Sequence, residues 1–231
     1  MKVLKLSLLA LGMGLSGLAQ ADVIGVKGDL SYWAYDGQAN MAAQTAASDQ
    51  DLERKGAAQL SLAIEHPVPL IPNAKIRYVN LKTQTENEVA GQPVYDINMD
   101  HADFILYYEI LDNIVNADVG VGATTLNGHA TTLALSKTDI DKTVPVIYAT
   151  AGAKLPFTGL SAKGEVLYSN FNDAKITDAQ AELQYNFIDN LLVDVGLKAG
   201  YRILDIKLEE KKKNDLKFNF KGPYIGLDIH F

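Results

Sequence analysis

The amino-acid sequence predicts an all-β protein, a single antiparallel β-barrel that crosses a membrane with ten strands. Hydrophobic residues recur at every second position over long segments, which is the pattern of strands with two unlike faces. The hydrophobic phase of these segments carries no charged residue, and long polar connections alternate with short turns. A soluble β-sandwich explains the alternation alone, whereas a lipid-facing barrel explains all three observations.

The first twenty-one residues have the layout of a secretory signal peptide. Lys2 and Lys5 form a basic start, residues 6–18 are uncharged and hydrophobic, and Ala19-Gln20-Ala21 is a small-x-small cleavage motif. The hydrophobic run is short for a membrane anchor, which is the alternative interpretation. We therefore expect a signal peptide at residues 1–21 and an outer-membrane barrel domain at residues 22–231.

Composition excludes several classes of protein. The net charge is −7 and becomes more negative by two without Lys2 and Lys5, so nucleic-acid binding is not expected. There is no cysteine, hence no disulfide or lipidated N-terminal cysteine. The most hydrophobic later stretch, residues 187–204, contains four charged residues and does not predict a transmembrane helix.

Nine predicted strands alternate clearly, and two stretches, 23–35 and 191–203, are longer than the strands typical of soluble proteins. The nine lie within residues 24–34, 58–64, 102–108, 115–123, 147–153, 160–168, 179–187, 193–203 and 225–231. A tenth is needed within residues 72–85, where residues 79–81 break the alternation and indicate a β-bulge. Eight strands is the alternative if this strand and one neighbour fail.

Long and short connections segregate to opposite ends of the predicted barrel. Residues 36–54, 86–100 and 127–143 predict long outer loops, and residues 66–73, 111–113, 156–159 and 188–190 predict short turns. Aromatic residues near both strand ends suggest two interfacial girdles. The outer girdle would contain Tyr32, Trp33, Tyr35, Tyr168, Phe171 and Tyr201, and the inner girdle Tyr107, Tyr108, Phe157, Tyr185 and Phe187. An even strand number puts both termini in the periplasm.

The last strand, with Ile225, Leu227, Ile229 and a terminal Phe231, looks like the signal that barrel-assembly machinery recognises. Together with the proline-rich turn at residues 66–73 and the Tyr-Tyr-Glu-Ile-Leu-Asp-Asn segment at 107–113, it resembles a family of small, largely uncharacterised outer-membrane β-barrels of Gram-negative bacteria. The resemblance implies location in the cell outer membrane, contact with outer-membrane lipid and lipopolysaccharide, and help from the assembly machinery. It implies no catalytic residue.

Charged residues on the inward phase are the candidate site. Those expected to form ion pairs in the lumen are Lys27, Asp29, Glu65, Arg77, Asp103, Glu109, Lys163, Glu165, Glu182, Asp194, Lys198 and Arg202. A ten-stranded barrel has a narrow lumen that side chains can nearly fill, so we expect a plugging network. A thin polar pathway for small or apolar solutes is the alternative, although the mixed signs favour no particular ion.

Histidines near aspartates raise the hypothesis of a protease at the outer rim, with an Asp–His pair orienting water. The candidates are Asp100, His101 and Asp103 at the end of one strand, and His129, Asp139 and Asp141 in the next outer loop. No recognisable motif surrounds them, so we expect no enzyme activity, cofactor or metal.

The charge run at residues 209–213 is a solvated loop tip or a contact for lipopolysaccharide phosphates. The leading hypothesis is a structural or surface-interaction barrel.

Overall fold

The structure is a computed structural model that describes residues 24–41, 49–68, 70–132, 137–190, 192–210 and 213–231. The predicted signal peptide and its cleavage site lie outside these residues, as do Lys211 and Lys212 of the charge run.

Ten strands form a closed barrel in which every strand runs antiparallel to both neighbours. In chain order they are β1 (Gly25–Met41), β2 (Gln50–Glu65), β3 (Asn73–Gln84), β4 (Tyr95–Asp112), β5 (Val115–Thr132), β6 (Lys137–Lys154), β7 (Leu160–Phe171), β8 (Ala174–Asp189), β9 (Asp194–Glu210) and β10 (Lys213–His230). A small hairpin, Glu88–Val89 with Gln92–Pro93, lies between β3 and β4. Strands adjacent in sequence pair in space, and β1 pairs with β10 to close the wall. The predicted fold class and strand count are confirmed.

The strands extend farther toward the loop side than the alternation predicted. They are 12 to 18 residues long, and the predicted long loops at 36–54, 86–100 and 127–143 are largely strand. The prediction of loops was wrong at these segments. In the extensions the outward-facing residues are polar and the inward-facing residues are hydrophobic, which reverses the pattern of the turn-side half. Residues 66–72, 113–114, 155–159 and 190–193 join the strands at the opposite end, hereafter the turn side.

The change of sides is clearest on β9. Leu197, Tyr201 and Ile203 face outward and are 47%, 46% and 43% exposed. One residue later the pattern inverts, so that Leu204 is buried inside the barrel and Lys207 is exposed outside. Strands β1, β3, β4 and β10 invert in the same way. The barrel wall therefore has an apolar exterior on the turn side and a polar exterior with an apolar interior on the loop side.

This inversion corrects the prediction for the third strand. Strand β3 pairs with β4 without interruption from Asn73 to Gln84, and no bulge occurs at residues 79–81. Val79 and Leu81 break the sequence alternation because they point into the barrel, where both are fully buried.

Three predicted members of the aromatic girdles lie inside the barrel, Trp33 and Tyr35 beyond the inversion on β1 and Tyr107 in the inward phase of the turn-side half of β4. Trp33, Tyr35 and Tyr107 point inward and are 0%, 1% and 3% exposed, so they belong to the interior. The other members that keep an outward position include Tyr32 on the loop side and Tyr185 on the turn side, 58% and 51% exposed.

A seam interrupts the wall between β2 and β3 on the loop side. Their ladder runs only from Gln59 opposite Val79 to Ile64 opposite Ala74, and resumes as a single bridge between Leu52 and Thr85. The hydroxyl of Tyr35 fills this gap, since it donates to the carbonyl oxygen of Lys82 at 3.0 Å and accepts from the Lys82 N–H at 2.9 Å. A side chain thus satisfies two backbone groups that a neighbouring strand would otherwise pair.

Replacing Tyr35 by Phe should destabilise the barrel by about 1–3 kcal/mol, because it leaves both backbone groups of Lys82 without their partner. Tyr201→Phe is the matched control, because the Tyr201 side chain is half exposed on the outer wall. Urea unfolding of the refolded barrel in detergent micelles measures both. Equal stability of the two variants would show that the Tyr35 hydroxyl does not hold the seam.

Candidate functional site: the barrel interior

The interior has three layers, and the first is an apolar plug on the loop side. Its large members pack closely: the ring centroids of Trp33 and Tyr35 are 5.1 Å apart, and those of Tyr35 and Phe220 are 5.7 Å apart. The plug consists of Trp33, Tyr35, Ala39, Met41, Leu52, Ala57, Val79, Leu81, Tyr95, Ile97, Met99, Leu126, Ala130, Ile140, Val144, Ala174, Ile176, Leu204, Ile206, Leu208, Leu216, Phe218, Phe220 and Tyr224. Burial of each large side chain contributes roughly 1.5–3 kcal/mol. The plug therefore stabilises the barrel and fills its loop-side lumen.

The second layer is an ion network below the plug. Arg202 donates to both carboxylate oxygens of Asp178 at 2.9 and 2.7 Å. Arg77 donates to Asp178, Asp103 and Glu165 at 2.5, 2.8 and 2.8 Å. Lys75 donates to Glu165 at 2.5 Å. Three cations thus oppose three carboxylates, and the charges of this buried layer are balanced.

Strands from opposite walls supply the network. Arg77 lies on β3, Asp103 on β4, Glu165 on β7, Asp178 on β8 and Arg202 on β9. The arginine forks therefore link opposite sides of the lumen through charge-assisted hydrogen bonds, which are stronger than neutral ones. Above the network, the guanidinium carbon of Arg202 lies 4.6 Å from the ring centroid of Trp33, which joins the network to the plug.

His101 belongs to this network and is 1% exposed. Its Nδ1 lies 3.2 Å from an Arg202 nitrogen, and its Nε2 lies 3.2 Å from a carboxylate oxygen of Asp103. A guanidinium only donates, so Nδ1 is the acceptor and the ring proton of a neutral imidazole lies on Nε2. His101, Asp103 and Asp178 are close enough to hold a metal ion together. Because Arg77 and Arg202 already neutralise both carboxylates, the arrangement is an ion-pair cluster.

The third layer is a polar cavity of about 940 Å³ that opens on the turn side. Lys27 pairs with Glu65 at 2.7 Å. Lys198 lies between Asp29 and Glu182, and its distance to Glu182 is 3.1 Å. Tyr107 donates to Glu65 at 2.7 Å. Lys75, Arg77 and Glu165 of the ion network also line this cavity, hereafter the vestibule.

The predicted lumen residues divide between two layers. The ion network contains Arg77, Asp103, Glu165 and Arg202, and the cavity is lined by Lys27, Asp29, Glu65, Glu109, Lys163, Glu182, Asp194 and Lys198. Glu109 and Lys163 form no ion pair within 4 Å among the described residues, and Asp194 approaches His230 only to 3.9 Å. His66 and His230, at the turn end, also line the cavity.

Sequence reasoning missed Asp178 and the plug. Asp178 lies one residue before the predicted segment 179–187, and extending the alternation of Gln180 and Glu182 by two positions would have found it. The plug residues are hydrophobic and occupy the inward positions, which are polar in the turn-side half. A search for charged inward residues could therefore not reveal the plug.

The residues of the rim-protease hypothesis do not assemble. His101 and Asp103 face the lumen and are buried. Asp100 faces outward, where it accepts hydrogen bonds from Tyr78 and Asn80. The prediction that the second group lies in a loop was wrong: the pairs His129–Asp139 and Asn127–Asp141 lie in the β5–β6 ladder. The barrel wall thus separates the buried His101 and Asp103 from the second group, whereas Asp100 lies on the same outer face as that group.

The C-terminal pattern lies on the outer surface at the barrel's closure. Ile225 and Leu227 are 54% and 43% exposed on β10. Phe231 is 59% exposed, and its backbone exchanges hydrogen bonds with Val26 of β1 at 3.0 and 3.1 Å. Its recognition by assembly machinery stays a prediction.

Among the described residues, no helix is long and apolar enough to cross a membrane. No family model and no curated protein matches the chain.

Solved structures are similar in fold. The outer membrane protease OmpT from Escherichia coli has a TM-score of 0.52 at 11% identity, covering 92% of this chain and 100% of that chain. The translocator domain of the autotransporter NalP from Neisseria meningitidis has a TM-score of 0.45 at 9% identity, over 94% and 92% of the two chains. The outer membrane protein OprG from Pseudomonas aeruginosa has a TM-score of 0.40 at 13% identity, over 91% and 96%. At such identities the likeness to OmpT shows the fold, a closed β-barrel.

Removing one arginine from the network should be costly. Arg202→Met leaves two cations against three buried carboxylates and should destabilise the barrel by about 3–5 kcal/mol. Adding Asp178→Asn restores the charge balance and should recover part of this loss. The measurement is urea unfolding in micelles followed by circular dichroism.

Arg54→Met is the control, because Arg54 pairs with Asp36 on the outside with its side chain 78% exposed. An exposed pair of this kind contributes at most about 1 kcal/mol. A cost for Arg202→Met no larger than that of Arg54→Met would contradict the account of the network.

Proposed function

We propose that this protein is an integral outer-membrane β-barrel whose lumen is sealed and whose loop side, hereafter the outer cap, serves as a structural or surface-interaction element. The observation that carries the proposal is an outer belt of exposed apolar side chains to which every barrel strand contributes. Representative members are Leu30, Leu60, Ile76, Phe104, Val121, Ile147, Val166, Leu183, Leu197 and Ile225, each between 39% and 67% exposed. A surface patch of this extent in water is an aggregation hazard, and lipid removes that hazard.

The orientation of the barrel in the membrane is inferred from the long strand extensions on its loop side. In bacterial barrels the short connections face the periplasm and the longer ones face outside. The turn side would then be periplasmic, together with Gly25 and Phe231 at the ends of the described barrel, and the outer cap would project beyond the membrane. Contacts with outer-membrane lipid and lipopolysaccharide, and with assembly machinery during biogenesis, belong to the same proposal.

The plug favours this role over a channel. Solutes entering the vestibule from the turn side would meet the ion network and then the plug, where Trp33, Leu204 and Phe220 are fully buried. Opening a path would require unpacking apolar side chains and separating buried ion pairs, and both are costly. The outward faces of the outer cap are instead polar and solvated, as an interaction surface requires.

In the rim-protease alternative, His101 and Asp103 cannot act on a substrate from solvent, because both are buried inside the barrel. His129 and Asp139 are cross-strand neighbours on the outside, so they are the pair to test for cleavage. Loss of peptide cleavage in His129→Ala, with activity in the unchanged protein, would support a protease, and the proposed role expects no cleavage by either.

An arginine in the outer belt tests the membrane assignment. Val121→Arg places a charge at the middle of the belt on β5, where it should cost about 2–4 kcal/mol in a bilayer. Asn219→Arg on the polar exterior of β10 is the control and should be nearly neutral. Refolding into lipid vesicles, read as the fraction with heat-modifiable gel migration, compares the two. A soluble barrel would tolerate both substitutions equally.

Electrical recordings test the sealed lumen. The purified barrel in a planar bilayer should give no discrete conductance steps, because the plug and the network close the lumen. Heat-modifiable gel migration of the same sample is the control that shows that the recorded protein is folded. Regular single-channel steps from folded protein would favour the narrow-channel alternative.

A further inference from the structure

Three lysines form a straight row across the outside of the barrel. Lys175 on β8 is directly opposite Lys207 on β9, and Lys207 is directly opposite Lys217 on β10. All three side chains are exposed. Asn170 and Asn40 occupy the next positions on β7 and β1, so the row ends in uncharged residues.

This arrangement works against the stability of the sheet. Like charges directly opposite on neighbouring strands repel, and the strands are only about 4.8 Å apart. Among the described residues, one ion pair relieves the row, Lys207 with Asp205 at 3.7 Å. A surface anion that binds several ammonium groups at once would remove the repulsion.

The row contrasts with the opposite face of the outer cap. There Asp100 of β4 is opposite Asn127 of β5, which is opposite Asp141 of β6. Asp96 and Asp139 point outward on the same strands. The outward positions of β4 to β6 are thus rich in aspartate, whereas the face with the lysine row carries Lys175, Lys207, Lys217 and Lys221 beside the outward acids Asp205, Glu209 and Asp215.

The height of the row above the outer belt indicates what it meets. Ile203 marks the upper edge of the belt on β9 and pairs with Lys221 of β10, a fourth exposed lysine. Lys207 is four residues farther along, about 13 Å along the strand and roughly 10 Å in height for the usual strand tilt. Lysine side chains are long enough to reach down from there to the polar headgroup layer.

We propose that Lys175, Lys207 and Lys217, with Lys221 beneath them, bind phosphate groups on lipid headgroups of the leaflet around the outer cap. Ammonium groups bind phosphate as point charges, and adjacent strands place three of them on one surface. The inference rests on the proposed membrane position of the barrel and names the residues that contact its lipid.

The test uses the folded barrel in detergent micelles. It compares the unchanged protein, a Lys175→Gln/Lys207→Gln/Lys217→Gln variant, and a control in which the outward lysines Lys55, Lys82 and Lys137 become Gln. Each is titrated with lipid A, with lipid A lacking phosphates, and with inorganic phosphate, and binding is read by native mass spectrometry.

The row variant should bind lipid A at least about tenfold more weakly, since each lysine near an anionic surface contributes roughly a fivefold factor. The control should stay within about twofold, and the phosphate-free lipid should bind all three proteins weakly. Equal binding by the two variants, equal binding of both lipids, or no binding at all would overturn the proposal. Complete displacement by millimolar inorganic phosphate would assign the row to a free anion instead.

Refolding into vesicles separates this proposal from the one on which it rests. If the unchanged protein inserts and shows heat-modifiable migration, but the row variant and the control variant bind lipid A equally, only the proposal for the lysine row is contradicted. Failure of the unchanged protein to insert removes the membrane assignment itself.

Discussion

A barrel wall is one residue thick, so each side chain faces either the lumen or the exterior, and each strand must suit both environments along its whole length. The inversion at Ile203 and Leu204 follows from this constraint. On the turn side, apolar residues face outward, while charged residues and a small buried cluster that includes Ile105, Val146 and Leu167 face the interior. On the loop side, polar residues face outward and the barrel acquires an apolar core like that of a water-soluble protein. The layers of the interior and the division of the exterior both depend on this change of sides.

The ion network lies where the two arrangements meet. Buried charges are costly unless each is paired and hydrogen-bonded, and here Arg77 and Arg202 neutralise Asp103, Asp178 and Glu165 from several directions. Below the network lies the cavity of about 940 Å³, and above it the buried side chains of the plug pack together. Lys75, Arg77 and Glu165 of the network face the vestibule, while the Arg202 guanidinium lies over the Trp33 ring.

The sequence was sufficient for the barrel and its strand number, because period-two alternation survives wherever one face is apolar. It was insufficient where that face changes. Residues 79–81 gave the appearance of a bulge, and the loop-side extensions gave the appearance of loops, although both are regular strand. The inward charges of the turn-side half could be recognised one by one. Their partners could not, since Arg77 and Asp178 are 101 residues apart in sequence and Arg202 and Gln59 are 143 apart.

The central claim is that the inversion marks the boundary between lipid and water. Because the protein has no cysteine, single cysteines can be introduced at successive outward positions of β9 and labelled with a nitroxide. In vesicles, labels at positions 197, 199 and 201 should be accessible to oxygen and protected from a water-soluble nickel complex. Labels at 205, 207 and 209 should show the reverse, with the crossover near Ile203. Uniform accessibility to the nickel complex along the whole strand would contradict the account.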